Sequence, residues 1–565
     1  MTDSKIWTVG QYLAARMRQI GMRHYFAVPG DYNLVLLDEV LKHQDLTMIS
    51  CCNELNAGYA ADGYARATGG AAAVFVTYSV GGLSLLNAVA GAYAEDLPLI
   101  AISGGPNTNS AAEYELLHHT LGKVDYEYQR EIFARVTAEA TIIHHPKEAP
   151  YQIDYAIGAA LRRRKPVYLE IACNIANAAV SAPNPRSFRT ELPSDPDALS
   201  AAIEDAEAQL NGAAKPVLVA GVKLRNKTAR SAFADLAAQS GYAFASMPNA
   251  KGFVDEQHPN YIGTYWGPVS SPGCGEIVES SDMCLFAGPT FTDYTTTGHS
   301  ALAEPAKAIV ANADNVLIKG QSYNRVNLSD FLAGLAPKLA ANKTSIAAYQ
   351  RIHEITAPPD TSAADAPLTT LGLFAHIQEM LTSDSGVIAE TGDSWFNGMR
   401  LNLPTGSAFE IQMQYGSIGW SVGATLGYCL GAENRRVVAL IGDGSFQLTA
   451  QEVSTMIRYE ARPIIFLINN GGYTIEVEIH DGPYNNIKNW DYAGLMKVFN
   501  AGDGKGRGWQ AKTNGELRKA MTEAQSHDGP ALIEVAIDRD DCSKTLLTWG
   551  GHVAKNNGRP PRCLP

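Results

Sequence analysis

Several features that would assign this chain to a familiar class are missing from its sequence. No apolar run approaches the roughly 18 residues of a transmembrane helix, so we expect no membrane partner. The eight cysteines include no C-x-x-C pair, which argues against a zinc site and a disulfide framework. No G-x-G-x-x-G follows a predicted strand, which disfavours a dinucleotide-binding protein. The amino terminus lacks the apolar core of a signal peptide, so we expect a cytoplasmic location with reduced cysteines.

Basic residues are also fewer than acidic residues in this chain. The 45 lysines and arginines are outnumbered by 58 aspartates and glutamates, which gives a net charge of −13. This balance disfavours nucleic acid as a partner, although a bound metal could still create a local site for an anionic substrate. Hydrophobic residues make up 46% and charged residues 18% of the 565 positions, which is typical of a globular protein with several cores.

Two segments rich in proline, serine, alanine and aspartate divide the chain into three blocks. These segments are residues 178–197 and 355–368. Each block alternates short apolar runs with helical patterns, which predicts a mostly parallel sheet covered by helices. The predicted fold class is therefore α/β, with three open, mostly parallel domains. Their predicted boundaries are 1–185, 190–355 and 365–565.

The apolar runs predict the strands of these three domains. The clearest candidates are 25–28, 73–77, 98–102, 167–171, 216–221, 283–288, 308–313, 387–390, 437–442, 463–468 and 531–537. The first and third blocks could be structural relatives, but the sequence alone does not show this. The polar, proline-rich tail 550–565 is expected to form no element of its own.

The most informative stretch is a strand–helix–strand pattern in the third block. Its first apolar run ends in Gly442-Asp443-Gly444, and its second ends in Asn469-Asn470-Gly471-Gly472. Open α/β sheets bind ligands at the carboxyl ends of their strands, so these residues should share one site. The Asp443 carboxylate, the Asn470 amide and a backbone carbonyl at Gly472 are oxygen ligands that suit Mg²⁺ holding a diphosphate. The glycines would let backbone N–H groups approach phosphate oxygens.

A second Gly-Asp-Gly triplet, at 502–504, serves as a control within the chain. It has neither a preceding strand nor a following Asn-Asn pair, so a solvated loop is predicted there. A bare triplet could be a turn, and only the full context of the first one favours a metal site. Beside that first triplet, Thr449 and Glu452 have capping-box spacing, which predicts a helix that starts after the loop and directs its positive end toward the anion.

This arrangement resembles the signature of enzymes that use thiamin diphosphate (ThDP), in which GDG and NN are separated by a helix and a strand. Asn470 follows Asp443 by 27 positions, the spacing that these enzymes use. The resemblance implies ThDP and Mg²⁺ as cofactors, with Gly444 and Ser445 beside the diphosphate. It also implies a glutamate that activates the aminopyrimidine ring. Glu54 matches that residue, because it follows a predicted strand at 47–53 and opens an AGYAADGYAR-like helix, although a first-turn glutamate is common for electrostatic reasons alone.

Two segments of the first block narrow the resemblance further. Residues 26–33 (FAVPGDYN) and 113–119 (EYELLHH) resemble the pyruvate decarboxylase family of 2-keto acid decarboxylases, in its bacterial type. An adjacent histidine pair marks the members that release aldehydes, whereas acetolactate synthases lack it. The resemblance implies four proton-handling side chains, and it does not say which acts at which step. They are Asp31, His118, His119 and Glu476.

The resemblance continues through the third block. Residues 391–396 (TGDSWF) resemble the family's substrate and cofactor wall, and 414–420 (QYGSIGW) resemble its second cofactor segment. The Gly416 carbonyl would accept a hydrogen bond from the cofactor's 4′-amino group, and Ile418 would hold its two rings bent over each other. Three further residues are implied at the cofactor, of which the first two could equally be caps or turn formers. They are Thr391, Asp393 and Tyr473.

The same resemblance implies a substrate and an assembly. Pyruvate would be decarboxylated without oxidation to acetaldehyde and CO₂, as in ethanol fermentation, in a small pocket. The pocket residues would be Tyr294, Trp395, Ile475 and Ile479. The diphosphate end of ThDP would bind the third block and its pyrimidine end the first block of another subunit. A homodimer is then the minimum active unit, and a tetramer built as a dimer of dimers is expected.

One departure from the family pattern and three alternatives stay open. Family members commonly have Trp and His where this chain has Tyr415 and Ser417, and neither change touches the expected backbone contact. The chain could instead be a decarboxylase for indolepyruvate or phenylpyruvate. It could be a nucleotide-binding oxidoreductase, which the missing glycine motif disfavours. It could also be an inactive binding protein that retains the fold, although every expected acid and base is present.

Overall fold

The computed structural model describes residues 6–301, 304–354 and 357–558. Successive parts of the chain form a six-stranded, a seven-stranded and a second six-stranded sheet, each flanked by helices, together with one two-stranded pair. The α/β fold class with three mostly parallel sheets is thereby confirmed. Among the described residues, no helix is long and apolar enough to cross a membrane.

The N-terminal sheet is built from six parallel strands in the order β3-β2-β4-β5-β7-β6. The strands of this block are β1 Trp7–Thr8, β2 His24–Ala27, β3 Thr47–Ser50, β4 Ala72–Val76, β5 Leu99–Gly105, β6 Ala140–Ile143, β7 Val167–Ala172 and β8 Ala179–Val180. Its helices are α1 Val9–Gln19, α2 Leu34–Leu41, α3 Glu54–Thr68, α4 Val80–Ala94, α5 Thr108–Ala112, α6 Tyr128–Phe133 and α7 Ala149–Arg163. Because β1 pairs antiparallel with β8, the two ends of the block lie side by side.

The middle sheet has seven strands in the order β11-β10-β9-β12-β13-β14-β15. They are β9 Pro216–Ala220, β10 Ala243–Ser246, β11 Tyr261–Thr264, β12 Met283–Ala287, β13 Ala308–Ala311, β14 Asn315–Ile318 and β15 Gln321–Asn324. The last two are antiparallel to their neighbours and the rest are parallel. The helices are α8 Pro196–Gly212, α9 Lys227–Ser240, α10 Cys274–Glu279, α11 Leu328–Leu335 and α12 Thr344–Ile352.

The C-terminal sheet is entirely parallel, in the order β17-β16-β18-β19-β21-β20. Its strands are β16 Ser385–Ala389, β17 Ala408–Glu410, β18 Arg436–Gly442, β19 Ile464–Asn469, β20 Arg507–Ala511 and β21 Ala531–Ala536. Its helices are α13 Thr370–Met380, α14 Asp393–Gly398, α15 Trp420–Gly431, α16 Asp443–Thr449, α17 Glu452–Arg458, α18 Thr474–Ile479, α19 Tyr492–Asn500, α20 Asn514–Ser526 and α21 Lys544–Asn556. Short 3₁₀ turns complete the connections in the middle and C-terminal blocks.

The N-terminal and C-terminal sheets have the same topology. Numbered along the chain within each sheet, the strands lie in the order second, first, third, fourth, sixth, fifth. The helix after the second strand is α3 in one block and α15 in the other, and these two helices pack against each other. They approach so closely that a Cβ at Gly427 would lie 1.7 Å from the carbonyl oxygen of Ala60, so only glycine fits there.

The strands found agree with the sequence-based candidates to within a few residues, and the strands that were missed share a cause. The missed strands longer than two residues are β6, β10, β11, β14, β15, β17 and β20. All but β10 and β14 lie at a sheet edge, those two lie next to one, and most of the seven are partly exposed. Such strands lack the continuous apolar run that marks a strand buried on both faces.

Two local predictions were wrong. Residues 550–556 belong to α21, whose Leu546, Trp549 and Val553 are buried against the C-terminal core, so the chain forms a helix where a bare tail was expected. The predicted capping box is absent because α16 begins at Asp443 itself. The Thr449 hydroxyl donates instead to the carbonyl of Gly419 at 2.7 Å, which ties α16 to the loop before α15.

Candidate active site

A cleft of about 630 Å³ opens at the carboxyl ends of the C-terminal sheet. The loops that follow β16, β17, β18 and β19 form its walls, and the segment 292–294 of the middle block closes one side. Twelve of the residues predicted from the sequence line this cleft. They are Tyr294, Thr391, Asp393, Gly416, Ile418, Gly444, Ser445, Asn470, Gly472, Tyr473, Ile475 and Glu476.

Asp443 lies buried beneath the cleft, at the junction of β18 and α16. Its Oδ2 accepts hydrogen bonds from the backbone N–H groups of Asn470, at 3.2 Å, and Gly471, at 2.6 Å, and its Oδ1 accepts one from Gly444 at 2.7 Å. Burial raises the pKa of Asp443 to about 6 even though these N–H donors favour the ionised form. The two halves of the GDG…NN pattern therefore meet at one carboxylate.

The loop after β19 completes the donor set. The Asn470 side-chain nitrogen donates to Thr474 Oγ1 at 2.6 Å, which leaves its amide oxygen as the available ligand atom. A Cβ at Gly444 would lie 2.4 Å from the Tyr473 ring, so the absence of a side chain there lets the ring pack over the start of α16. Gly472 pairs with Asn486 in an isolated bridge that fixes this loop.

These residues fit a metal-bound diphosphate. The Asp443 carboxylate, the Asn470 amide oxygen and the Gly472 carbonyl are hard oxygen donors, the type that Mg²⁺ takes together with substrate phosphates. Gly444 and Ser445 line the cleft beside them and bring backbone N–H groups toward an anion. The donor chemistry and the glycine contacts thus agree with the cofactor implied by the sequence.

Two predicted pocket residues lie behind the wall of the cleft. Trp395 is fully buried, and its ring packs edge-on against Tyr294 with 6.2 Å between centroids. Ile479, on α18, is buried in the same apolar cluster. Ile475 and Tyr294 line the cleft directly, so they can touch a substrate, whereas Trp395 and Ile479 support the wall from the core.

Asp393 links two helices. Its carboxylate accepts hydrogen bonds from the hydroxyl of Ser543 at 2.6 Å, from the backbone of Ser543 at 3.1 Å and from the Asn397 amide at 2.8 Å. Burial raises the pKa of Asp393 to about 6. The carboxylate therefore joins the start of α14 to the start of α21, and this bonding favours a structural role, although Asp393 is the N-cap of neither helix.

Glu390 was missed by the sequence analysis. It is fully buried after β16, and its Oε2 accepts hydrogen bonds from the backbone N–H groups of Gly419 and Ser421 and from the Ser421 hydroxyl at 2.6 Å. Its Oε1 accepts from the backbone of Thr391 at 2.8 Å. Glu390 thus couples the loops after β16 and β17, and burial raises its pKa. The available signal was an acid ending the apolar run VIAE.

Glu54 begins α3 in the N-terminal block. Asn53 caps the helix by accepting the N–H of Asn56 at 2.9 Å, so Glu54 does not serve as the cap. The Glu54 carboxylate lies beside the start of α4, where a Cβ at Gly81 would be 3.3 Å from Oε1. Burial raises the pKa of Glu54. Partial burial shifts a carboxyl toward its protonated form, and the protonated form can donate a hydrogen bond to a ring nitrogen.

Asp31, His118 and His119 come together although 87 positions separate Asp31 from His118. His118 Nε2 lies 2.5 Å from Asp31 Oδ2, and His119 Nε2 lies 3.7 Å from Asp31 Oδ1. Tyr32 stacks on the His118 ring with 5.0 Å between centroids. This cluster and Glu54 belong to the N-terminal block, and none of these side chains lines the C-terminal cleft of the same chain. Glu476 is the predicted proton-handling residue that does.

Three family models match the chain in succession. The N-terminal TPP binding domain of thiamine pyrophosphate enzymes matches residues 7–128, the central domain matches 203–339, and the C-terminal TPP binding domain matches 380–535. Thiamine pyrophosphate is another name for ThDP. The first and third models fall within the two blocks whose sheets share one topology.

Similar proteins extend over nearly the full chain. Pyruvate decarboxylase 3 of Arabidopsis thaliana is 51% identical over 98% of this chain and 94% of its own length. Pyruvate decarboxylase 2 of Oryza sativa subsp. indica is 51% identical over 98% of this chain and 92% of its own length. Pyruvate decarboxylase 1 of Pisum sativum is 50% identical over 98% of this chain and 94% of its own length.

Proposed function

We infer the function from the premise that this chain belongs to the thiamine pyrophosphate enzyme family, whose three domain models it matches in order. It catalyses the non-oxidative decarboxylation of pyruvate to acetaldehyde and CO₂ with ThDP and Mg²⁺. The observation that carries this conclusion is about 50% identity to pyruvate decarboxylases along the full chain, combined with a cleft that fits a metal-bound diphosphate.

The C-terminal cleft would hold the cofactor. Asp443, Asn470 and the carbonyl of Gly472 would bind Mg²⁺, while Gly444 and Ser445 would contact the diphosphate. ThDP supplies an electron sink for the carbanion left by CO₂ loss. The cleft also presents the Gly416 backbone and the Ile418 side chain, which are suited to orienting a heterocycle.

The acids and bases of the chain would then move protons. Glu54 would hold a proton at the pyrimidine ring, a role that its raised pKa supports. The imidazoles of His118 and His119 both lie beside the Asp31 carboxylate, and these are side-chain types that can act as general acids and bases. Glu476 would face them from the C-terminal cleft, where Ile475 and Tyr294 present apolar surface that excludes water.

The active unit would be a homodimer, and the full particle a tetramer. Glu54 and the histidine cluster lie outside the cleft that contains Asp443 in one chain, so a complete site needs the N-terminal block of a second copy. Large exposed apolar side chains also favour association. They include Val80, Leu448 and Trp490.

A mixed assembly of two inactive variants tests this arrangement. Glu54→Gln and Asp443→Ala would each inactivate a homodimer, but a heterodimer of the two would contain one intact site. Coexpressed and purified through two different tags, the heterodimer should recover up to half the parental turnover. If the mixture stays as inactive as each variant alone, each site is built from one chain.

The reaction itself is tested by pyruvate turnover coupled to alcohol dehydrogenase, with and without ThDP and Mg²⁺. We expect acetaldehyde to form only when both cofactors are present. Faster turnover of phenylpyruvate or indolepyruvate than of pyruvate would favour the aromatic decarboxylases. NADH oxidation without added dehydrogenase would instead indicate an oxidoreductase.

Several finer properties stay predictions. The bacterial type expected from the sequence has no support from the three relatives compared, which are plant enzymes. The domain boundaries 1–185, 190–355 and 365–565 can be tested by limited proteolysis. A cytoplasmic location agrees with the free thiols of the described cysteines and can be tested by cell fractionation.

A further inference from the structure

We propose that Asp31, His118 and His119 form a second metal site, which binds a borderline-soft divalent cation such as Zn²⁺. This site is separate from the Mg²⁺ site proposed for the C-terminal cleft. Its existence depends only on the geometry of the three side chains. Its consequence, reversible inhibition by zinc, rests on the proposed function, because the cation would occupy the atoms that handle protons.

The three candidate ligand atoms already lie close together in the structure. Each of the three side chains offers one nitrogen or oxygen atom, and these atoms all lie within 4.8 Å of one another. In a tetrahedral zinc site with the usual bond lengths, neighbouring ligand atoms are roughly 3.3 Å apart. His118 Nε2 lies 2.5 Å from Asp31 Oδ2, and His119 Nε2 lies 3.7 Å from the other carboxylate oxygen, Oδ1, so the two distances bracket that value. Among the residues that the structure describes, no other trio of His, Cys, Asp or Glu meets the same distance criterion.

The surroundings of His118 resemble the supporting shell of a metal ligand. Its Nδ1 lies 3.4 Å from the Tyr32 hydroxyl while its Nε2 faces the carboxylate. With Nε2 bound to a cation, Nδ1 would carry the proton and donate it to the Tyr32 oxygen. Metal-bound histidines are commonly oriented by such a hydrogen bond at the second ring nitrogen. The stacked Tyr32 ring restrains the same imidazole.

The backbone places both histidines on one side. Side chains of adjacent residues in an extended strand point to opposite faces. His119 has a φ of 65°, in the left-handed region, and the two imidazole rings lie only 4.6 Å apart between centroids. Non-glycine residues in this region are uncommon and are concentrated at functional sites. This bend is what allows one carboxylate to meet both rings.

The type of ligand atom distinguishes the proposed Zn²⁺ site from the Mg²⁺ site of the cleft. Imidazole nitrogens suit Zn²⁺, Co²⁺ and Cu²⁺, whereas Mg²⁺ prefers an all-oxygen octahedral site. The side chains of His118, Asp31 and His119 are 60%, 51% and 30% exposed in the single chain, and in the proposed dimer they face the substrate cleft, so a cation would reach them through that cleft. Three protein ligands leave one position open, which water or a substrate carboxylate could fill.

Cobalt spectroscopy tests the site independently of turnover. The holoenzyme, kept saturated with ThDP and excess Mg²⁺, is titrated with Co²⁺ while visible absorption is recorded. Tetrahedral Co²⁺ with nitrogen ligands absorbs far more strongly than octahedral Co²⁺ with oxygen ligands. We expect a strong band that saturates at about one Co²⁺ per chain. Zn²⁺ should abolish the band and added Mg²⁺ should not. A parental protein without the band would overturn the proposal.

Variants identify the ligands. His118→Gln, His119→Gln and Asp31→Asn should each weaken Co²⁺ binding by roughly 10- to 100-fold or more, since changes even to outer-shell partners have effects of this size. The matched control is His144→Gln, because His144 and His145 form another exposed adjacent pair without a carboxylate partner of this kind. Unchanged Co²⁺ binding in all three ligand variants would assign the metal to another site. Near-parental melting temperatures show that the variants are folded.

Turnover then separates the two proposals. Zn²⁺ should inhibit pyruvate decarboxylation, and excess Mg²⁺ with ThDP should not relieve it. Relief by excess Mg²⁺ would mean that Zn²⁺ acts at the cofactor site and would contradict the proposed consequence. A protein that shows the cobalt band but does not decarboxylate pyruvate would retain the metal site while the proposed function fails.

Discussion

The N-terminal and C-terminal sheets have one strand order but carry different chemistry at their carboxyl ends. After the first strand come Asp31 in one block and Thr391 in the other. After the second come Glu54 and Gly416. The remaining pairs follow the third and fourth strands in the same way. They are Ser79 with Asp443, and His118 with Asn470.

The difference lies in what the loops offer. The C-terminal loops are rich in glycine and converge on the Asp443 carboxylate, which creates a place for a metal and an anion. The N-terminal loops offer ionisable groups, such as Glu54 and the histidine pair, that can exchange protons. One topology therefore supplies four equivalent positions, and the residues at those positions divide metal and diphosphate binding from proton transfer.

Asp443→Ala should have the largest effect and would show that the metal and diphosphate anchor lies in the C-terminal block. Removing the charged metal ligand should abolish ThDP retention and turnover. The apoprotein should still fold, with a melting temperature lowered by the loss of the three backbone hydrogen bonds that the carboxylate accepts. Asp503→Ala, in the exposed second Gly-Asp-Gly triplet, is the matched control and should behave like the parent. ThDP binding at parental affinity in the Asp443 variant would end the metal assignment.

Glu54→Gln tests the complementary role, which is that of the N-terminal block in proton transfer. ThDP should remain bound, because its anchor lies in the C-terminal cleft, while exchange of the thiazolium C2 proton for deuterium should slow by a factor of roughly 10²–10⁴. Proton NMR of acid-quenched holoenzyme measures this rate. Glu516→Gln, another glutamate in the first turn of a helix, should leave it unchanged. An unaltered rate in the Glu54 variant would remove its catalytic role.

Ile475→Ala should change the choice of substrate without disturbing either block. Because Ile475 lines the cleft, its loss should favour larger 2-keto acids by roughly 1–3 kcal/mol per methylene-sized change in the pocket. Trp395→Ala is the informative comparison, since that ring is buried behind the wall and its loss should mainly lower the melting temperature. The ratio of kcat/KM for pyruvate and phenylpyruvate measures the shift. Equal losses on both acids in the Ile475 variant would deny it a role in specificity.

Glu170→Gln should have the smallest effect and concerns the cores beneath the two sites. Glu170 on β7 and Glu534 on β21 occupy the same strand position, and both are buried. Glu170 accepts hydrogen bonds from Tyr168 and Gln129 in the core, whereas Glu534 lines a small cavity. Burial raises the pKa of Glu170 to about 8. The folded protein therefore binds a proton that the unfolded chain releases above about pH 4.3, so this residue's contribution to stability falls as pH rises from about 4.3 to 8.

Glu170→Gln should remove this loss of stability with rising pH. Its melting temperature, relative to the parent, should rise by a few degrees between pH 5 and pH 8. Glu534→Gln, the matched substitution in the other sheet, reports what loss of a carboxylate at this strand position does by itself. A constant difference between the Glu170 variant and the parent across this range would contradict the argument.

The same comparison explains what the sequence could predict. The C-terminal site could be predicted because Asp443 and Asn470 end neighbouring strands and lie only 27 positions apart in the sequence. Glu390 escaped because its role depends on Gly419 and Ser421, which reach it only through the fold. The Asp31–His118 contact spans 87 positions and carries no periodic signal, so only family resemblance joined those residues. The common topology of the two blocks was equally invisible, since edge strands such as β6 and β20 have weak apolar patterns.

The packing of α3 on α15 also affects the order in which parts of the chain can fold during synthesis. The β1–β8 pair closes the N-terminal block on itself, so this block can fold as soon as it leaves the ribosome. Trp420, whose indole nitrogen donates to Asp62 on α3, is translated 358 residues later. At typical elongation rates this delay is roughly 20–70 s, during which the small-residue face of α3 has no native cover. Protection of that face by a chaperone, or a fast-translated middle block, would thus govern the yield of folded protein.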